Sequence, residues 1–142
     1  KVKQIWRGKD IIIIEGMFSK LGVGNDLFAN ARSIQRVLCP ASSVFNKYED
    51  ILDFAKTLPK NKLILIALGM TATVLAYDLA NLGYWAVDIG HIDVEYEWYK
   101  TGADKPVKIA GKYVNDVSAN IPDILEQNKK LIAKNEIIKI IE

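Results

Sequence analysis

The stretch Ile11-Ile12-Ile13-Ile14-Glu15-Gly16 decides the fold. Four β-branched residues in succession leave no polar side for water, so a strand formed here has to be covered on both faces. Strands covered on both faces belong to parallel sheets wrapped by their own crossover connections. Leu63-Ile64-Leu65-Ile66 repeats the pattern and marks a second central strand.

Outward from these runs, strand and helix signals alternate. Ser33 to Leu38, closed by Cys39-Pro40, reads as a short strand. Ser42-Ser43 can cap a helix whose apolar positions Val44, Tyr48, Ile51, Leu52, Ala55 and Leu58 follow the helical period, and Pro59 to Asn61 stops it. Leu68-Gly69-Met70-Thr71 turns into a helix with Thr71 as N-cap, Val74, Leu75, Leu79 and Leu82 as its inner face, and Gly83 as a left-handed stop. Tyr84 to Asp88 is a further strand. Met17 to Asp26 reads as a loop running into a helix that Leu27 and Phe28 begin, and Thr101 to Tyr113 as a loop. Pro122 opens a last helix through Leu125, Leu131 and Ile132, and Glu136 to Ile141 is an edge strand. No repeat or linker divides the 142 residues, so one Rossmann-like domain is expected: a three-layer α/β sandwich with a mainly parallel sheet and right-handed crossovers.

Half the residues are hydrophobic, enough for a real core, and the net charge of +2 comes without a Lys/Arg cluster interleaved with aromatics. A nucleic-acid groove has little support, and small molecules are the expected partners. No apolar stretch approaches the roughly 20 residues of a membrane span, and no signal peptide opens the chain. The single cysteine, Cys39, fits a reducing cytoplasm, and the absence of an initiating methionine points to a fragment.

Chemistry concentrates in Val87-Asp88-Ile89-Gly90-His91-Ile92-Asp93-Val94-Glu95-Tyr96-Glu97-Trp98, which holds four carboxylates and the only histidine. Directly behind a strand, it delivers hard oxygen ligands to the carboxyl end of the sheet, where α/β proteins bind ligands. Asp93 and Glu95 form a D-x-E triplet suited to Mg²⁺ or Mn²⁺ against phosphates. In strand geometry Asp93, Glu95 and Glu97 share a face, whereas a helix beginning near Tyr96 would point Glu97 elsewhere. His91 is either a ligand or a hydrogen-bonded structural residue, and Tyr96 and Trp98 stack on a base or sugar or pack in the core. Two glycine turns accompany this stretch. Gly22, Gly24, Asn25 and Asp26 make either a phosphate or ribose cradle or a tight turn with an N-cap; Gly69 with Thr71 or Thr73 makes either a ligand contact or a plain helix start.

Taken together, Glu15-Gly16, the run Ser19 to Leu27, the run Leu68 to Leu79 and the run Asp88 to Trp98 resemble the GT-D class of bacterial glycosyltransferases, over residues 6–115. Met70 departs from the proline expected there. The resemblance implies a Rossmann-like fold, Mn²⁺ (or Mg²⁺) held by Asp93 and Glu95, and a UDP-sugar donor, typically UDP-glucose. It also implies a glycan or glycosylated protein acceptor such as a serine-rich adhesin, and a chain that is the carboxyl-terminal half of the family's domain. Glu95 or Glu97 is then the general base if the anomeric centre inverts. The cradle residues Gly22, Gly24, Asn25, Asp26, Gly69 and Thr71 become donor contacts. Removing Asp93 or Glu95 is expected to abolish transfer while stability holds or rises, through relief of repulsion. Alone, the half-domain is expected to bind UDP weakly, transfer nothing and self-associate as a homo-oligomer. The alternative is a non-catalytic nucleotide-binding regulatory or scaffolding module, disfavoured because unneutralised carboxylates would repel phosphate.

Overall fold

The computed structural model describes residues 1–107, 109, 133 and 135–142. Five parallel strands form one sheet: β1 (Asp10–Gly16), β2 (Ser33–Cys39), β3 (Leu63–Ala67), β4 (Trp85–Asp88) and β5 (Ile137–Ile140), in the order β4-β3-β1-β2-β5. The helices are α1 (Tyr48–Ala55), α2 (Met70–Asn81) and α3 (Ile92–Thr101). The expected sandwich is therefore present, and every described strand pair is parallel. The last helix expected from Pro122 onward lies outside the described residues.

Alternation along β1 explains its uniform apolarity. Ile12 and Ile14 pack with Val37, Ile64 and Ile66 beneath Ile51 and Ala55 of α1 and Leu75 and Leu79 of α2. Ile11 and Ile13 face the opposite layer, with Leu63 and Leu65 against Trp6, Leu21, Leu27 and Phe28. That second layer corrects one expectation: no helix joins β1 to β2. Lys20, Gly22 and Gly24 all have positive φ, which interrupts helical propagation. The segment instead folds as successive turns, stapled by the Trp6 indole N–H donating to the Leu27 carbonyl at 2.9 Å.

Caps differ as well. Ser43 is itself left-handed and leads a short 3₁₀ turn, Val44–Lys47, without a side-chain cap, so α1 starts only at Tyr48. Thr71 is not the cap of α2, because Gly69 takes a backbone conformation open to glycine (φ 55°, ψ −141°) and lets the helix begin at Met70. Of the four residues expected inside α2, Leu75 and Leu79 are buried, whereas Val74 and Leu82 are exposed. Gly83 stops the helix in the left-handed conformation, as expected.

Arg36, in the middle of β2, is buried. Its Nη1 donates to the Glu15 carboxylate at 2.5 Å, its Nη2 to the Leu21 carbonyl at 2.9 Å and its Nε to Glu136 at 2.8 Å. Burial pushes the Glu15 carboxyl up, and the neighbouring Asp93 carboxylate acts in the same direction; Arg36 and the Leu21 N–H oppose them. Replacing Arg36 with Leu strands that carboxylate and is expected to cost about 3–5 kcal/mol in urea unfolding at neutral pH. A carboxyl with a raised folded-state pKa weakens the fold as pH climbs above the unfolded value of about 4.3. The deficit of the variant should therefore shrink on acidification, and a pH-independent deficit would refute this account.

Candidate active site

The carboxyl ends of β1 to β4 surround a cavity of about 820 Å³. Its walls come from four connections: Gly16, Ser19 and Leu21 after β1; Pro40 to Phe45 after β2; Leu68 to Thr71 and Thr73 after β3; and Asp88 with Gly90, His91, Asp93 and Val94 after β4. A crevice at the carboxyl edge of a parallel sheet, beside the point where strand order reverses, is where open α/β folds bind ligands. Here that reversal falls between β1 and β3.

The acidic stretch enters as a helix. Asp88 Oδ1 accepts the Gly90 N–H at 3.0 Å, Gly90 adopts φ 51°, and β4 ends there. Asp93 and Glu95 then lie in the first turn of α3, where carboxylates favour the helix dipole, and Gly102 closes the helix in the left-handed conformation. The strand alternative for Asp93, Glu95 and Glu97 is thereby ruled out, and the helix starts at Ile92, earlier than Tyr96. At about 100° per residue, positions two apart point to nearly opposite sides of a helix. Asp93 faces the cavity; Glu95 is exposed and Glu97 half-buried, and neither lines it.

Asp93 is only 3% exposed and does more than line the wall. Its Oδ1 accepts the Gly22 N–H at 2.9 Å and the Asn25 side-chain amide at 2.8 Å. Asn25 Oδ1 in turn accepts the Leu27 N–H at 3.0 Å. The glycine loop and the D-x-E motif thus meet through direct bonds. Gly22 has to be glycine there, since a Cβ would sit 2.3 Å from the Phe28 ring at φ 70°. Gly24 is open in space and restricted by φ alone. Asp26 lies outside the cavity, accepting from Lys3 at 2.5 Å, Tyr96 at 3.0 Å and Lys100 at 3.4 Å. These bonds hold its carboxyl well below the usual range.

The remaining candidates divide. Gly69 and Thr71 line the cavity at the start of α2, and Thr73 donates to Asp88 at 2.8 Å. His91 is exposed, lines the cavity and occupies the N-cap position of α3 without a side-chain capping bond. Tyr96 is committed to Asp26, and Trp98 donates to the Val107 carbonyl at 2.9 Å, so both serve structure and neither lines the cavity. Cys39 is buried, which pushes its thiol up to about 12 and leaves it inert. Sequence reasoning missed the wall from Pro40 to Phe45; Cys39-Pro40, at the end of the strand beside β1, was the available signal.

Among the described residues no three His, Cys, Asp or Glu side chains are gathered closely enough to cage a metal ion. The hard oxygen of Asp93 suits a divalent cation of the kind that takes one or two carboxylates and completes its shell with phosphates and water.

An all-parallel α/β sheet with this carboxylate-bearing crevice defines a ligand-binding domain of the Rossmann-like class. Its relatives narrow the class. The profile of the glycosyltransferase GT-D fold matches residues 1–117, and the chain belongs to that family. It is 50% identical over 113 residues to a probable glycosyl transferase, Gly, of Streptococcus gordonii, covering 80% of this chain and 17% of the relative. It is 46% identical to glycosyltransferase GlyD of Streptococcus pneumoniae over 113 residues, 80% of this chain and 14% of the relative. A solved chain described as a highly conserved domain of unknown function with a distinct glycosyltransferase fold superposes with a TM-score of 0.85 at 42% identity. The match covers 99% of this chain and 50% of that one. A new glycosyltransferase from Streptococcus sanguinis gives 0.83 at 40% identity, covering 99% and 52%. The chain thus spans about half the length of the solved relatives and a smaller share of the curated ones.

The two carboxylates of the D-x-E motif should respond differently to truncation, contrary to the expectation that losing either leaves stability unchanged or improved. Asp93→Ala orphans the Gly22 amide and the Asn25 side chain and should cost about 1–3 kcal/mol. Exposed Glu95→Ala should stay within about 0.5 kcal/mol of the parent. Urea unfolding, with hydrogen exchange at the Gly22 amide, checks this; equal stabilities would remove the clamping role of Asp93.

Proposed function

We propose that this chain contributes the donor-binding half of a metal-dependent glycosyltransferase that moves a sugar from a UDP-sugar, with glucose the favoured sugar, to a glycan or glycosylated protein. The observation that carries this reading is a cavity bounded by the starts of α2 and α3 and by Asp93, whose carboxylate the Gly22 N–H and the Asn25 amide hold in place. Helix N-termini present backbone N–H groups and favour anions, which suits a diphosphate lying over Gly69 to Thr71. Asp93 would hold Mn²⁺ or Mg²⁺, which would supply charge neutralisation on the departing UDP, whereas Glu95 points to the opposite side of α3 and does not share that ion.

Transfer itself forms a bond from the acceptor oxygen to the anomeric carbon and breaks the bond from that carbon to the phosphate oxygen. UDP leaves with the electron pair, and the acceptor's proton passes to a base. Exposed Glu95 and half-buried Glu97 are proposed for that base in an inverting reaction. The chain's own residues otherwise bind and orient: Gly22 and Asn25 fix Asp93 in the wall, and Thr73 holds Asp88 in place. Location in the cytoplasm, where nucleotide sugars are made, fits the reading; among the described residues no helix is long and apolar enough to cross a membrane.

Thermal melting of the protein as its gene encodes it, with UDP and Mn²⁺ separately and together, tests the proposal. Stabilisation that needs both is expected, alongside transfer from UDP-glucose that Asp93→Asn abolishes. Stabilisation by UDP alone with no turnover would instead support a nucleotide-binding module.

A further inference from the structure

We infer that Phe45 is the platform on which the nucleobase of the donor stacks, an inference that rests on the nucleotide-sugar reading above. Among the described residues, Phe45 is the one phenyl, phenol or indole ring in the cavity wall, and it is 61% exposed. An apolar ring of that size left in water forfeits burial, yet this one is held in place. One face stacks on Tyr48, with centroids 5.3 Å apart and planes 27° from parallel. The Tyr48 hydroxyl donates to Asp78 of α2, and Val44, beside Phe45, packs against the core. The turn that presents the ring begins at Ser43 in the left-handed conformation (φ 52°), a strained arrangement for a residue with a side chain. A braced, exposed aromatic at a ligand cavity has the form of a stacking surface.

The rest of the wall supplies the matching polarity. Asp88, Thr73, His91 and Asp93 gather at the β4 side, whereas Phe45 stands on the connection that follows β2. Strands β3 and β1 separate those two connections in the sheet. The cavity thus carries charge toward one end and an aromatic toward the other, the polarity of a nucleoside diphosphate: flat base at one end, phosphates at the other. Its volume lies within the several hundred Å³ usual for small-molecule sites. The other aromatics near the site are engaged elsewhere, Tyr96 with Asp26 and Trp98 with Val107. Stacking accepts any base, so Phe45 contributes affinity and leaves the choice of uracil to polar contacts.

The test compares UDP with inorganic pyrophosphate, which keeps the phosphates and lacks the base, by calorimetry in Mg²⁺ on the protein as its gene encodes it. Phe45→Ala should weaken UDP by about tenfold or more and leave pyrophosphate unchanged, while Phe45→Trp keeps UDP binding near the parent level. Because the ring is exposed, circular dichroism should show both variants folded. Undiminished UDP affinity in Phe45→Ala, with the parent binding UDP well, would overturn the stacking role alone. A parent protein that binds UDP no more tightly than pyrophosphate, or not at all, would overturn the platform together with the nucleotide reading.

Discussion

Arg36 is the fixed point on which the sheet and its functional edge depend. A guanidinium buried in β2 would be untenable without partners, and its three are spread across the fold: Glu15 at the end of β1, Leu21 in the following turns, and Glu136 at the entry to β5. One residue therefore sets where the central strand stops, how the glycine loop leaves it, and where the edge strand joins. Glu15 completes the arrangement by accepting the Leu21 N–H at 2.7 Å. A pair of apolar side chains could fill the same volume at no loss of stability, but it could not orient a backbone amide and carbonyl of a loop that forms no helix or strand.

Downstream of that point, Asp93 carries the constraint from β1 to α3. The loop beginning at Leu21 is positioned by Glu15 and Arg36, and its next amide, Gly22, donates to Asp93. Residues 71 positions apart in sequence are thus joined through two consecutive amides. Burial pushes the Glu15 carboxyl up, and the nearby Asp93 carboxylate adds to it. A cation or a hydrogen-bond donor set is needed to hold them together, and Arg36, Gly22 and Asn25 supply it within the chain. This is preorganisation: the cavity wall is rigid because its charged members are already bonded to the scaffold.

Most of the sheet was legible from apolar runs alone. Ile11 to Ile14 and Leu63 to Ile66 admit no other placement than strands covered on both faces, and the edge strand near the end of the chain also emerged where its pattern put it. Local backbone chemistry was harder to read. A left-handed lysine at position 20 and a left-handed serine at 43 are set by tertiary contacts, so neither the missing helix after β1 nor the late start of α1 could be seen in residue types. The D-x-E motif was visible, but its secondary structure was not. Alternating Asp93, Glu95 and Glu97 carry the period of a strand, whereas Gly90, the Asp88 turn and the first-turn carboxylates start a helix. Tertiary context decided for the helix, with Ile92 and Tyr96 packing onto the layer that holds Trp6 and Phe28.

That choice between strand and helix changes what the acidic stretch can do. As a strand it would have turned three carboxylates to one side, where mutual repulsion makes the apo state costly. As a helix it buries one, exposes another and leaves the third half-buried, and the buried one accepts hydrogen bonds from loop donors. The motif's two acids are thereby assigned different tasks by geometry: Asp93 fixes the wall and faces the cavity, and Glu95 stays in solvent. An acid that faces the cavity and is also a structural acceptor complicates any reading of its mutants, because truncation removes part of the wall and its charge together. An amide in its place keeps an oxygen for Gly22 and Asn25 while removing the charge, whereas alanine removes both. The difference between those two substitutions therefore measures the clamp, and what they share measures the charge.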